Sequence, residues 1–199
     1  MHPITDPVAD IITHRNLARD AGDSNADICF LALADKEGSA SVRTLVLRGI
    51  QDRGFSVFIN QSSPKWQILF SGGHWQLLLW YGSQQKQYRL SGTVNAIDDT
   101  IVKESWQYRP LGSKLLDNVY ETFAPQSSVL SSRQALLDHL EDLKKQQDIE
   151  EVPVPPMVSG AILTADRIER LDLSNPDRIH DRRLFLWQQN NWQSSFLVP

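Results

Sequence analysis

The stretches HWQLLLWYG (74–82) and KQYRLSGTVNAI (86–97) decide how this sequence is read. Both are rich in Leu, Trp, Tyr, Val and Ile, side chains that suit a pleated, half-buried surface. A short polar link joins them, so the pair reads as a β-hairpin. Working outward, ADICFLALAD (26–35), SVRTLVLRGI (41–50) and FSVFIN (55–60) read as earlier strands, turned by DKEGSA and by Asp52, Arg53 and Gly54. Three late strands follow at 159–173, 178–188 and 192–198, the last two joined at Asn190 and Asn191.

Helices fill the gaps. Asp6-Pro7 starts one, with Val8, Ile11, Ile12 and Leu17 on a shared face. SSPKWQILF (62–70) reads as a short helix with a serine cap followed by Pro64, and its free N–H groups favour an anion. Residues 98–120 read as mostly helical. SSRQALLDHLEDLKKQQ (131–147) is the clearest helix, with Leu136, Leu140 and Leu143 on one side and a Ser131/Gln134 capping box. EVPVPP (151–156) is a stiff extended link. Many antiparallel strands with few helices between them predict a mainly β fold, a β-barrel with helical additions. The expectation is one domain over 1–199, with an N-terminal helical segment at 1–25 and C-terminal strands over 150–199.

The chain has 199 residues, enough to bury a real core, and 20 basic against 24 acidic side chains. A net charge of −4 disfavours nucleic acid as a partner. The lone cysteine, Cys29, between Ile28 and Phe30, reads as a small buried hydrophobe. The N-terminus has no basic-then-apolar leader pattern, and no apolar run reaches membrane-spanning length. A cytoplasmic protein is expected. No G-x-G-x-x-G, Walker A or G-x-S-x-G motif occurs, and the histidines are scattered, so no metal site is expected.

Local basic positions then need a local reason. Arg43 and Arg48 lie on the second strand, Lys65 on the short helix, and Arg109 and Ser113 flank RPLGS (109–113). Arg178, His180 and Arg182 alternate in RIHDR (178–182), which puts them on one face if this segment is a strand. A guanidinium matches phosphate oxygens and stays charged when partly desolvated. Each has a plainer reading: Arg43 as a solvent-facing strand residue, Arg109 as a helix C-terminal cap, His180 as a structural histidine, Arg182 as a partner of Asp177 or Asp181. Spacing alone implies a protein that binds a small phosphorylated molecule.

The order of SVRTLVLR (41–48), INQSSPK (59–65), KQYRLSG (86–92), RPLGS (109–113), PQSS (125–128), EVPVPP, RIHDR and the terminal LVP closely resembles the pyridoxamine 5′-phosphate oxidase family. That resemblance implies an FMN-binding split barrel, a Greek-key antiparallel barrel, and a homodimer with two sites built across its interface. It implies that Arg43, Ser63 and Lys65 hold the FMN phosphate. Thr44, Leu45, Val46, Leu47, Phe58 and Ile59 would line the flavin, and Gln87, Gln126, Ser127 and Arg182 would complete its site. Arg48, Arg109 and Ser113 would grip the substrate phosphate, and Arg178 and His180 would face the pyridine ring as catalytic residues. The implied reaction oxidises pyridoxamine or pyridoxine 5′-phosphate to pyridoxal 5′-phosphate, with oxygen as acceptor.

The chain departs from the family pattern at several points. Arg48 stands where the family has Lys, and Pro64 where it has Arg. Ser105 replaces a phosphate-contacting Tyr, Phe58 a flavin-lining Tyr, and Leu171 in IERLDL (168–173) a Trp. The segment between Ser113 and Gln126 is longer. Retained Arg109, Ser113, Arg178 and His180 favour the B6-phosphate oxidase. The lost Tyr and Trp favour an FMN-dependent oxidoreductase with another substrate. A non-catalytic flavin- or haem-binding barrel is the third reading.

Overall fold

A computed structural model describes residues 6–146 and 153–199. Residues 1–5 of the expected N-terminal segment, Gln147 of the expected long helix and residues 151–152 of the expected link lie outside these. The strands are β1 (Ile28–Ala34), β2 (Ala40–Val46), β3 (Gly49–Gln51), β4 (Gly54–Asn60), β5 (His74–Tyr81), β6 (Lys86–Ala96), β7 (Val158–Asp172), β8 (Asp181–Gln188) and β9 (Asn191–Leu197). They form one sheet in the order β2-β1-β5-β6-β7-β4-β3, with β8 on β7 and β9 on β8. The helices are α1 (Pro7–Asp20), α2 (Pro64–Phe70), α3 (Asp99–Gln107), α4 (Leu111–Thr122) and α5 (Arg133–Gln146). The fold is mainly β and antiparallel, as the sequence predicts.

The opening hairpin is β5–β6, with Trp80 opposite Gln87 and Tyr81 opposite Lys86. A single 3-10 turn, Gly82–Gln84, closes it, with Gln85 left-handed at φ 51°. In β1 buried and half-buried residues alternate strictly, the period of a sheet with one face in the core. Cys29 is fully buried there, its Sγ 3.6 Å from the Leu45 carbonyl. Desolvation pushes its thiol up to about 12, so it is a core residue and no nucleophile.

Two local expectations are corrected. The stretch 41–50 is two strands, because the Leu47 N–H bonds the Asp27 carbonyl while the next N–H, of Arg48, bonds the Ser56 carbonyl. The chain changes pairing partner between these two residues. The long helix starts later than the capping box implies: the Ser132 hydroxyl, in place of Ser131, accepts from the Ala135 N–H at 3.1 Å. The span 98–120 is mostly helical, as expected, in two helices that part at Pro110, which supplies no N–H and sits in an extended conformation (ψ 140°).

The chain divides into two compact units. The first comprises Met1–Val57, Gly72–Asn95 and Ile162–Pro199; the second comprises Phe58–Ser71 and Ala96–Ala161. In the first, α1 is tied to the strands by buried polar contacts. Arg15 donates to the Leu47 carbonyl and to Asp27, both at 2.6 Å, and the Tyr88 hydroxyl donates to Asp10 at 2.6 Å. Gly92 in β6 is required by close approach, since a Cβ there would strike the Thr164 carbonyl. In the second unit, Leu115, Val119 and Leu143 form a core that Leu111, Leu136 and Leu140 extend.

Candidate functional site

In the first unit, strand alternation assembles a pocket of about 270 Å³ lined by Gln87, Arg89, Glu169, Leu171, His180, Arg182 and Pro199. Gln87 and Arg89 are two apart on β6, and Glu169 and Leu171 are two apart on β7, so each pair faces one way. Leu171 lies opposite Arg182 in the β7–β8 register. Three residues singled out from the sequence, Gln87, His180 and Arg182, thus share one cavity.

Glu169 organises the pocket. Its carboxylate accepts from Arg182 at 2.9 Å, from Arg167 at 2.6 Å and from Arg89. Burial works to raise its pKa, but the hydrogen bonds from these three arginines outweigh it and hold the group down at about 2. Arg182 also donates to the Val198 carbonyl at 3.3 Å. Three guanidinium groups against one carboxylate leave an excess of positive charge. The His180 Nδ1 is buried and has no hydrogen-bond partner.

Arg178 is not on this face. β8 begins only at Asp181, and Arg178 lies in the preceding turn, exposed, at φ 60° with its N–H bonded to the Asn175 carbonyl. A left-handed residue breaks the two-residue alternation, so the i, i+2, i+4 argument extends only to His180 and Arg182. On β2, an edge strand, Arg43, Thr44 and Val46 are exposed and Leu45 is half-buried; Leu47, just beyond it, is in the core. Arg43 donates to the Val42 carbonyl at 2.8 Å, and Arg48 is exposed.

The second unit carries the remaining candidates. Ser63 caps α2, accepting from the Lys65 N–H at 3.1 Å, and is fully buried. Lys65 is buried too, with its Nζ 3.5 Å from the Gln126 Oε1. The Gln126 N–H donates to the Ser62 hydroxyl at 3.2 Å, which locks PQSS beside the start of α2. Ser127, next in the chain, is exposed at φ 74°. Phe58 is half-buried and Ile59 buried on β4. An ammonium, a hydroxyl and a carboxamide gathered at one helix start could hold a phosphate group. The Gln87 amide and Arg182 guanidinium have the donors a flavin ring edge needs. Each unit, taken by itself, thus carries donors of a kind that FMN needs.

Arg109 has a partner that the sequence reading did not foresee. Its Nη2 lies 2.6 Å from the Asp117 Oδ2 on α4, and the Asp117 side chain is only 5% exposed. Desolvation raises the Asp117 pKa, opposed by the charge and hydrogen bond of Arg109 and by Asn60. Beside this ion pair, the Arg109 Nε and the Asn60 Nδ2 are buried with no hydrogen-bond partner. Ser113 sits in the first turn of α4, half-buried. Sequence reasoning missed Glu169, Arg89, Arg167, Asn60 and Asp117. For Glu169 a signal existed, a charged residue alternating with Arg167 and Leu171; for Asp117 there was none, because its partner is eight residues away and outside its helix.

Comparison with known proteins gives the family. Residues 22–147 match the pyridoxamine 5′-phosphate oxidase family. A pyridoxine/pyridoxamine 5′-phosphate oxidase of Synechocystis is 32% identical over 169 residues, covering 85% of this chain and 77% of that protein. The enzyme of the same name from Microcystis aeruginosa is 34% identical over the same shares of each chain. Among solved structures, PhzG from Burkholderia lata, in complex with tetrahydrophenazine-1-carboxylic acid, superposes with TM-score 0.88 at 24% identity, covering 99% of this chain and 94% of PhzG. A pyridoxamine 5′-phosphate oxidase-related, FMN-binding protein from Nostoc punctiforme has TM-score 0.75 at 18% identity, covering 99% and 100%. With a family match over residues 22–147 and relatives 32% and 34% identical over 85% of its length, this chain belongs to the pyridoxamine 5′-phosphate oxidase family.

Proposed function

We propose that the protein is an FMN-dependent oxidase acting on a small planar heteroaromatic substrate of the B6-vitamer kind, with oxygen as acceptor. The observation that carries this reading is the single pocket lined by Gln87, His180 and Arg182 around Glu169. The chemistry FMN supplies when bound is removal of a hydride equivalent from the substrate and its passage to oxygen. The chain's own residues bind and orient. Lys65 and Gln126 offer a phosphate their ammonium and carboxamide donors, and Ser62, donating to Asn60 and accepting from the Gln126 N–H, holds them in place. Arg182, fixed by Glu169 and the Val198 carbonyl, and Gln87 offer donors to a ring carbonyl edge. His180, with Nδ1 unpartnered, can hold or pass a proton at that atom beside the substrate ring. Arg178, exposed in the turn before β8, does not line this pocket. A homodimer is part of the proposal, supported by exposed Val42 and Val46 on edge strand β2 and by exposed Phe196 and Val198 near the C-terminus.

The names of the curated relatives favour the 5′-phosphorylated vitamers as substrates. The Arg109–Asp117 pair favours a second reading, a substrate without that phosphate. The reading common to both is tested by titrating the purified protein with FMN and then adding pyridoxamine 5′-phosphate or pyridoxine without oxygen. Flavin uptake followed by bleaching with either compound is expected. Protein that takes up no FMN, or a flavin that stays oxidised with every vitamer and is reduced by NADPH, refutes it.

A further inference from the structure

In the second unit, Arg109 already has an anion. A free guanidinium would present a full positive charge to an incoming phosphate; here Asp117, 2.6 Å away, cancels it. The carboxylate is part of the protein's packed interior, since Asp117 is 3% exposed on a helix whose neighbouring Leu115 and Val119 are in the core, and it cannot swing away into water. A phosphomonoester dianion brought to Arg109 would meet this carboxylate at close range. Like charges at such a distance repel, and screening by salt is weak for buried groups.

The same cluster has polar capacity left over. The Asn60 Nδ2 and the Arg109 Nε are donors buried with no hydrogen-bond partner, and the Asp117 Oδ2, an acceptor with two lone pairs, has only the Arg109 Nη2 at 2.6 Å. Asn60 and Asp117 are 6% and 3% exposed, and the Arg109 side chain at 21% borders solvent. A phosphate dianion has acceptors only and cannot satisfy the carboxylate. A hydroxyl can, because it donates to Asp117 and accepts from Asn60 or Arg109 together.

We infer that the Asn60–Arg109–Asp117 cluster selects a substrate whose polar arm carries no phosphate and ends in a hydroxyl or similar donor-acceptor group. Asp117 is the specificity-determining residue, an internal counter-ion standing where a substrate phosphate would otherwise be held. This rests on the proposed oxidase reading for the identity of the ligand, but the charge argument at Arg109 does not.

Two measurements test it. In the first, FMN-treated wild-type protein is titrated with pyridoxine and with pyridoxine 5′-phosphate by calorimetry. Affinities within about threefold of each other, or a preference for the unphosphorylated form, are expected; a wild-type preference of tenfold or more for the phosphate ester overturns the inference. In the second, inorganic phosphate is the probe and thermal stabilisation the readout. Asp117→Asn keeps the shape and removes the charge, and should raise phosphate affinity by about tenfold to a hundredfold, the worth of one uncovered charged hydrogen bond. The gain should vanish in the double variant with Arg109→Gln. Equal phosphate responses in wild type and Asp117→Asn overturn the inference, even if the protein proves to bind no flavin. Flavin uptake failing while the Asp117→Asn gain appears would refute the oxidase reading and leave the charge assignment standing.

Discussion

Glu169 in the first unit and Asp117 in the second are both carboxylates with nine-tenths of their surface buried, and both face arginine. Burial works against ionisation in each. In Glu169 it loses: three guanidinium groups donate to the carboxylate and its pKa falls to about 2. In Asp117 it wins: one arginine and one asparagine oppose the burial, and the pKa still rises. The difference shows that the number and aim of the donors, more than the presence of an opposite charge, decide whether a buried ion stabilises its surroundings. The sheet supplies three donors because β6, β7 and β8 bring alternate residues to one face; a helix and the turn before it supply one.

The largest effect should follow from breaking the stronger cluster. Glu169→Gln leaves Arg89, Arg167 and Arg182 repelling one another without their anion. A pKa depressed from 4.5 to about 2 corresponds to about 3 kcal/mol. Since the folded pKa lies below the unfolded one, this stability is present above about pH 4.5 and is lost as pH falls toward 2. Urea midpoints measured across that window should show a steep acid limb in wild type and a flatter one in Glu169→Gln. A variant that loses less than 1 kcal/mol at pH 7 would mean the three arginines are held by other contacts.

The same contrast explains what could be read from the sequence. Period-two patterning announced the strands, and the hairpin at 74–97 is found as β5–β6 with its turn at Gly82–Gln84. Gln87, His180 and Arg182 were legible because strand alternation and family motifs both point at them. Arg178 misled, because a left-handed backbone at φ 60° interrupts the alternation before β8 and RIHDR carries no glycine or proline to mark it. Ser131 misled for a smaller reason: two adjacent serines offer the same cap, and geometry chose Ser132. Of the two carboxylates, Glu169 left a local trace, its alternation with Arg167 and Leu171 on one strand, although its partners Arg89 and Arg182 come from neighbouring strands. Asp117 left none, because its partner approaches from a turn outside its helix.

A middling effect is expected from removing the lone arginine of the weaker pair. Arg109→Gln leaves Asp117 buried with no positive neighbour, so its folded pKa should rise further. The cost should be about 2 kcal/mol at pH 8, where the carboxylate is forced to ionise or bind a proton from solvent. It should shrink as pH falls toward the ordinary carboxylate range, because protonation removes the unpaired charge. Chemical denaturation at pH 8 and pH 4 checks this, and equal losses at both would mean that Arg109 acts by packing alone.

The smallest effect should come from Asp117→Asn. In wild type the folded pKa of Asp117 lies above its unfolded value of 3.8, so the folded state binds the proton more tightly. Its contribution is therefore most favourable below that value and declines as pH rises through the folded pKa. Asparagine removes this decline while its carboxamide oxygen can still accept from Arg109, which is left with one counter-charge fewer. The two changes oppose each other, and the net shift at pH 7 should stay within about 1 kcal/mol of zero. Against the loss for Glu169→Gln, this near-neutral outcome is what separates a carboxylate that holds the fold from one that shapes a binding site. If Asp117→Asn instead costs as much as Glu169→Gln in the same denaturation experiment, Asp117 is a structural ion like its counterpart, and the contrast between the two clusters fails.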